Sequence, residues 1–498
     1  MRPLCVGLLC AFTVPLFALD EIQVRHAEQE LFAARFDQAA DLYSALVKSD
    51  PTWAPGYYGW VRALLGAYRA EEAYRVAEAA QRAAPGTAPV ETVVGMTAYR
   101  QGHLVDGERH FRLALQMDPS YPGALMGLAR TLETISKFGT ARGLYQSAYH
   151  SAPNDPEFIL AGLANQQEGA EHIATLERVV AIYDPQTREA RALRAHIASD
   201  KAAGDRKLRQ LASAYRHYDL KLLDLLNDPR SRRGVGLSVE INQKKFKLML
   251  DTGASGISVS PKAAKKAGLE GLGEEAREAR GIGDRPAGDS YALLAAEVKI
   301  GEMTLTNVPI AAFSGVSSAG DDGLIGADVF RQFLVGIDFV HGRISLDPFA
   351  ERPPEHLGDA PDAPTPGFTR VVRLGNHLSL PTSVNGSQGH LFLVDSGSSQ
   401  SLIDTKAARE TTKTYGDDRT RLRGVQGAVK EVSRADSATL IFAGFRQENS
   451  DLIAFDMTKV GDSMGVGLAG VLGMPVLGQL KLTIDYREGS VLLEHVKP

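Results

Sequence analysis

Two tripeptides hold the side chains best placed to do chemistry in this 498-residue chain: Asp251-Thr252-Gly253 and Asp395-Ser396-Gly397, each directly after an apolar run. If the fold brings the two carboxylates within hydrogen-bond distance, like charges repel and the pair keeps one proton. One member then serves as base toward a water and the other as acid toward the group that departs. The titration belongs to the pair, not to either aspartate. Gly253 and Gly397 would permit a tight loop, while Thr252 and Ser396 can hydrogen-bond across to the opposing loop. Ser398 can donate to the outer oxygen of Asp395, whereas Ala254 offers Asp251 nothing equivalent. A donor favours the charged form, so Asp251 is the expected holder of the shared proton.

Other catalytic equipment is sparse. The two cysteines, Cys5 and Cys10, both lie in the first ten residues, so a chain without that segment has no disulfide, no thiolate zinc ligand and no cysteine nucleophile. No Walker A lysine, His-Glu-x-x-His or Gly-x-Ser-x-Gly occurs. Gly465 to Gly470 satisfies the dinucleotide-binding glycine pattern, but it runs into Val471-Leu472-Gly473 instead of opening a helix after a parallel strand. No cofactor and no metal are therefore expected. A formal charge of −5 gives no electrostatic reason for a nucleic acid or an anionic membrane as partner.

The elements around the two aspartates repeat. Phe246 to Ala254 aligns with His390 to Ser398 at an offset of 144 residues, and the same offset carries Lys262 to Lys265 onto Lys406 to Arg409. Arg280 to Gly283 matches Arg423 to Gln426, and Leu324-Ile325-Gly326 matches Val471-Leu472-Gly473, each of the latter followed twelve residues on by an aspartate, Asp338 or Asp485. Those two aspartates read as strand ends that start the turns into Gly342 and Gly489. Val235 to Ile241 and Phe246 to Leu250 read as strands joined at Asn242-Gln243.

On these four blocks each half resembles a retropepsin-type aspartic protease lobe, and the tandem resembles a pepsin-like bilobal enzyme in one chain. The resemblance implies two all-β lobes of closed-barrel acid-protease fold, with Asp251 and Asp395 catalytic and Thr252, Gly253, Ser396, Gly397 and Ser398 supporting their loops. It places the flaps at Gly281, Ile282 and Gly283 and at Gly424, Val425 and Gly427, with the hydrophobic-Gly segments beneath the catalytic loops. Tyr291 is a candidate flap tyrosine. The halves combine Ala254, as in the retroviral enzymes, with Ser398, as in the pepsins, so neither relative supplies a pH optimum.

The first half has helical character. Helix-ending prolines recur at Pro51, Pro85, Pro119 and Pro153, each 34 residues after the last. Twelve, eight and five residues before them stand Ala39, Tyr43 and Leu46; Ala73, Ala77 and Ala80; Gly107, Phe111 and Ala114; Ala141, Tyr145 and Ala148. In period and residue type this resembles tetratricopeptide repeats, with Asp184-Pro185 marking an irregular fifth. From Arg188 to Leu226 the apolar spacing predicts a capping or linking helix.

The expected organisation is thus multidomain α + β. A signal peptide occupies 1–19, an all-α repeat solenoid with its linking helix 20–228, lobe one 234–349, a Pro-rich linker 350–366 and lobe two 367–498. Residues Leu4 to Leu19 are too short and too terminal for a comfortable membrane span and predict export to the periplasm or beyond. Two function classes follow: an exported aspartic endopeptidase whose repeats recruit protein partners or substrates, or an inactive peptide-binding scaffold of the same parts. Since one chain supplies both lobes, a monomer is expected.

Overall fold

The computed structural model describes residues 21–163, 169–228, 231–279, 282, 288–314, 322–354, 356–417, 420, 422–424 and 426–497. The expected signal peptide, Gly281, Gly283 and Val425 lie outside the described residues. Among those described, no helix is long and apolar enough to cross a membrane.

Among the described residues, eleven helices make up the first part: α1 (Glu21–Phe32), α2 (Phe36–Ser49), α3 (Ala54–Gly66), α4 (Ala70–Ala83), α5 (Ala88–Arg100), α6 (Leu104–Met117), α7 (Pro122–Thr134), α8 (Phe138–Ser151), α9 (Pro156–Gly162), α10 (Ala170–Ile182) and α11 (Arg188–Ala203). The starts of α2, α4, α6 and α8 are 34 residues apart, as are those of α3, α5, α7 and α9. Proline sets this period twice over. Pro51, Pro85, Pro119 and Pro153 follow the ends of the even helices, and a second proline sits in the first turn of α3, α5, α7 and α9, where its missing N–H costs nothing.

Packing follows the small-large-small pattern read from the sequence. All twelve positions counted back from the prolines are buried. A Cβ added to Gly59 would lie 2.3 Å from the ring of Tyr43, and one on Gly127 would lie 2.2 Å from the ring of Phe111, so these rings seat directly on helix backbone. Phe111 is 1% exposed. Phe111→Ala is expected to destabilise the array by about 3–5 kcal/mol, readable as an earlier loss of the helical circular-dichroism signal in urea.

The array curls back on itself. Asp184, just after α10, donates its N–H to Ala33 O at 2.9 Å and pairs with Arg35 at 3.3 Å, joining the far end to the α1–α2 turn. The concave face encloses a cavity of about 630 Å³, lined by apolar side chains such as Phe32, Met96 and Tyr99 together with Arg62 and Arg130.

The expected linking helix ends early. Gly204 at φ 57° stops α11, and the chain then runs as short strands at Gln210–Leu211, Tyr218–Lys221 and Leu223–Asp228. Tyr218, Leu220 and Leu222 are buried while Asp219 and Lys221 are exposed, a two-residue alternation that the longer apolar spacings had masked. These strands join the β part: Gln210–Leu211 edges the first lobe and Tyr218–Lys221 edges the sheet between the lobes.

Each lobe closes a six-stranded ring. In the first, the ring runs Ser231–Ile241, Lys244–Leu250, Gly323–Ile325, Ile257–Val259, Met303–Phe313 and Gly288–Ile300, which pairs back onto the first strand. In the second it runs His377–Val384, Ser387–Val394, Gly470–Leu472, Leu402–Asp404, Phe445–Phe455 and Ser433–Phe442, which again closes on the first. Asn242 and Gln243 both take positive φ, the geometry a two-residue hairpin demands. A separate six-stranded sheet unites the lobes through the antiparallel pair Phe333–Asp338 and Leu480–Asp485.

The segment between the lobes does more than link them. Lys137 in the α7–α8 turn bridges Asp359, its Nζ reaches Ala360 O at 2.6 Å, and Arg142 donates to Leu357 O at 2.8 Å. The second lobe also grips α5: Arg100 Nη1 donates to Gly461 O at 2.9 Å, its guanidinium pairs with Asp462, and Gly467 N–H donates to Arg100 O at 2.8 Å.

Candidate active site

Strands Lys244–Leu250 and Ser387–Val394 deliver Asp251 and Asp395 to the junction of the lobes. Each runs parallel to the hydrophobic-Gly strand of its own lobe, with Leu324 opposite Met249 and Val471 opposite Leu393. Asp251 N–H then donates to Ile325 O and Asp395 N–H to Leu472 O, both at 3.0 Å, so the two loops start identically.

Thr252 and Ser396 lock the loops together. Thr252 Oγ1 donates to Val394 O at 2.8 Å and accepts from Ser396 N–H at 2.9 Å. Reciprocally, Ser396 Oγ donates to Leu250 O at 2.9 Å and accepts from Thr252 N–H at 3.1 Å. Both hydroxyls are buried, so all four bonds are shielded from water.

Gly253 and Gly397 have a role the sequence reading missed. Neither is among the positive-φ glycines, so the loop does not require their backbone freedom. Instead a Cβ on Gly253 would lie 2.7 Å from the carboxyl carbon of Asp395, and one on Gly397 would lie 2.5 Å from that of Asp251. Each glycine makes room for the opposite carboxyl group.

Within its own loop, Asp251 Oδ1 accepts from Gly253 N–H at 2.9 Å, and Asp395 Oδ1 accepts from Gly397 N–H at 2.8 Å and Ser398 N–H at 3.1 Å. Burial and the neighbouring Asp395 charge push Asp251 well above the usual carboxylate range. Burial also raises Asp395, but the hydrogen bond from Asp251, its backbone donors and His377 counter part of that rise. Both carboxyl groups are thus pushed up, Asp251 the further, and the pair holds on to one proton between them.

The proposed reason for that asymmetry is corrected. Ser398 Oγ donates to Gln400 O at 2.7 Å and leaves only its backbone N–H for Asp395. Ser398→Ala is therefore expected to leave the pH-rate profile of hydrolysis unchanged. A displaced limb would show that the hydroxyl reaches the dyad.

Of the flap candidates, Ile282, Gly424 and Gly427 are described, and Ile282 lies directly against Gly424. Arg423–Gly424 pairs with Gly427–Ala428, and Gln426 N–H donates to Ile282 O at 2.9 Å. Tyr291 is exposed on strand Gly288–Ile300. Asp338 and Asp485 are turn residues: the first accepts from Val340 and His341 N–H, the second from Arg487 and Glu488 N–H. Gly465 ends a short helix at φ 75° and the segment proceeds into strand Gly470–Leu472, so the glycine pattern opens no helix.

Three neighbours of the dyad carried no sequence signal. Asp328 is buried and accepts from Gly256 N–H at 2.7 Å and Ser255 Oγ at 3.3 Å, with Arg209 3.6 Å away. Asn376 Nδ2 from the second lobe donates to the same Ser255 Oγ at 2.7 Å. His377 has a buried Nδ1 with no hydrogen-bond partner among the described residues, and burial holds the ring below its ordinary pKa. None belongs to a local motif, since each contact joins residues far apart in the chain.

Comparison with curated proteins returned no match. Residues 237–329 and 380–476 match the family model described as Aspartyl protease, one segment in each lobe, and each segment contains one of the two interlocked aspartates.

Proposed function

We propose that the chain is an aspartic endopeptidase in which a water activated between Asp251 and Asp395 attacks a peptide carbonyl. The observation that carries this reading is the reciprocal interlock of Thr252 and Ser396, which seats each carboxyl group against the glycine of the other loop. In the reacting state the unprotonated carboxylate takes a proton from the water while the protonated partner donates to the carbonyl oxygen, and the dyad later returns a proton to the departing amine. Like charges this close cannot both ionise at moderate pH, which supplies acid and base from one residue type.

The helical part we read as tetratricopeptide repeats that recruit a protein partner or the polypeptide substrate, with the concave cavity as the docking surface. Export follows from the apolar leader, and intrachain pairing of the lobes supports a monomer. No cofactor is needed for this chemistry.

A peptide with a hydroxyethylene group in place of the scissile amide tests the proposal, because its hydroxyl mimics the tetrahedral intermediate. The parent chain should bind it at least roughly 100-fold more tightly than does Asp251→Asn, as expected for a transition-state mimic. Equal binding by both would refute the assignment.

A further inference from the structure

Helices α10 and α11, at the end of the array, bring together three side chains that the proposed hydrolysis does not use. His172 comes from α10, and His196 and Asp200 are one turn apart on α11. One ring nitrogen of each histidine and one Asp200 carboxylate oxygen all lie within 4.8 Å of one another. His196 Nε2 is 3.5 Å from Asp200 Oδ2. The two imidazoles meet edge to face, with centroids 6.3 Å apart and planes at 78°. Ligands bound at roughly 2.0–2.2 Å around a tetrahedral ion stand about 3.3–3.6 Å from each other, so small side-chain movements complete a coordination sphere.

A second observation points the same way. His172 Nδ1 is buried and has no hydrogen-bond partner among the described residues. A buried imidazole nitrogen without a partner loses its hydration for nothing in return, and a bound metal ion would supply the missing partner. The site also has an entrance, since His196 is exposed while His172 and Asp200 are half-buried. Three protein ligands would leave a position for water or an added ligand.

We propose that His172, His196 and Asp200 bind a late first-row divalent cation, of which Zn²⁺ is the representative, and that the ion pins α10 to α11. Two imidazoles and a single carboxylate suit Zn²⁺, Co²⁺ or Ni²⁺, whereas Ca²⁺ and Mg²⁺ require mostly oxygen donors. The position gives the ion structural reach. Ser199, next to Asp200, donates to Leu272 O at 3.1 Å and accepts from Arg277 at 3.0 Å, so α11 is the helix on which the first lobe's Arg277–Ala279 strand rests.

The test uses the full chain, stripped with a chelator and titrated with ZnCl₂ in a calorimeter, beside His172→Gln and His196→Gln. His196 is half exposed, so its variant retains the fold, which circular dichroism verifies. The expected result is one Zn²⁺ per parent chain and a loss of affinity in either variant larger than the roughly 10–100-fold that follows removal of an outer-shell partner. Co²⁺ should give visible absorption bands in the parent that the His196 variant lacks. No uptake by the parent, or equal uptake by parent and His196→Gln, would overturn the proposal.

Discussion

Asp395→Asn is expected to lower kcat for peptide hydrolysis by roughly 10⁴-fold, Asp251→Asn by a similar factor, and the double variant hardly further. Either replacement leaves an amide that can neither take a proton from water nor complete the shared-proton pair, so the second substitution removes a partner already without function. The loops should survive both changes. Their interlock depends on Thr252, Ser396 and main-chain groups, and asparagine retains an oxygen to accept from Gly253 or Gly397 N–H. Stability should move the other way from activity. The Asp251 pKa is raised in the folded chain, so the stability it contributes is present below its unfolded value and lost as pH rises through the folded value. Asp251→Asn should therefore unfold at a higher temperature than the parent near pH 7, and the difference should vanish below about pH 4. Parallel kinetics and thermal melts on the same preparations check both statements.

Arg62→Leu is expected to destabilise the repeat array by about 3–5 kcal/mol, the typical cost of leaving a buried carboxylate without its cation. Arg62 in α3 spans the concave face to the start of α9, where its Nη1 donates to Asp155 at 2.7 Å and its Nη2 to Glu157 at 2.6 Å. Its guanidinium is 9% exposed and lies 5.3 Å from the ring centroids of both Tyr58 and Phe158. Leucine fills much of the space but leaves Asp155, 7% exposed, with no cation in contact among the described residues. Burial pushes Glu157 up, yet Arg62 and Arg130 outweigh it and hold the group at about 2. A carboxylate lowered in this way contributes stability above its unfolded value near pH 4.5, and that contribution is lost as pH falls toward 2. The penalty of Arg62→Leu should accordingly be greatest near neutral pH and shrink on acidification, as urea titrations followed at a helical wavelength would show.

What could be read from the sequence was local or periodic. Proline at a fixed interval marks both helix ends and helix starts, so the 34-residue architecture was legible down to the burial of Phe111 and Tyr145. The duplicated Asp-hydroxyl-Gly loops and the hydrophobic-Gly strands were legible because two copies in register specify the same geometry. The turns at Asp338 and Asp485 followed from side-chain preferences alone. Where two periods competed the reading failed: Leu208 to Leu226 carries helical spacings, but Gly204 and the Tyr218-Leu220-Leu222 alternation decide for strands. Contacts across long separations were invisible, among them Asp359 on the α7–α8 turn, Arg100 on Asp462, and His377 beside Asp395. Ser398 shows a subtler limit, since residue type identifies a donor but not the acceptor it chooses.

A single chain is expected to cut a polypeptide with this dyad. Incubating the purified chain with an unfolded protein from pH 3 to 8, and sequencing the fragments, should reveal internal cuts with a bell-shaped pH dependence that disappear in both Asp251→Asn and Asp395→Asn. Absence of cleavage by the parent at every pH, or cleavage that persists in both variants, would contradict it.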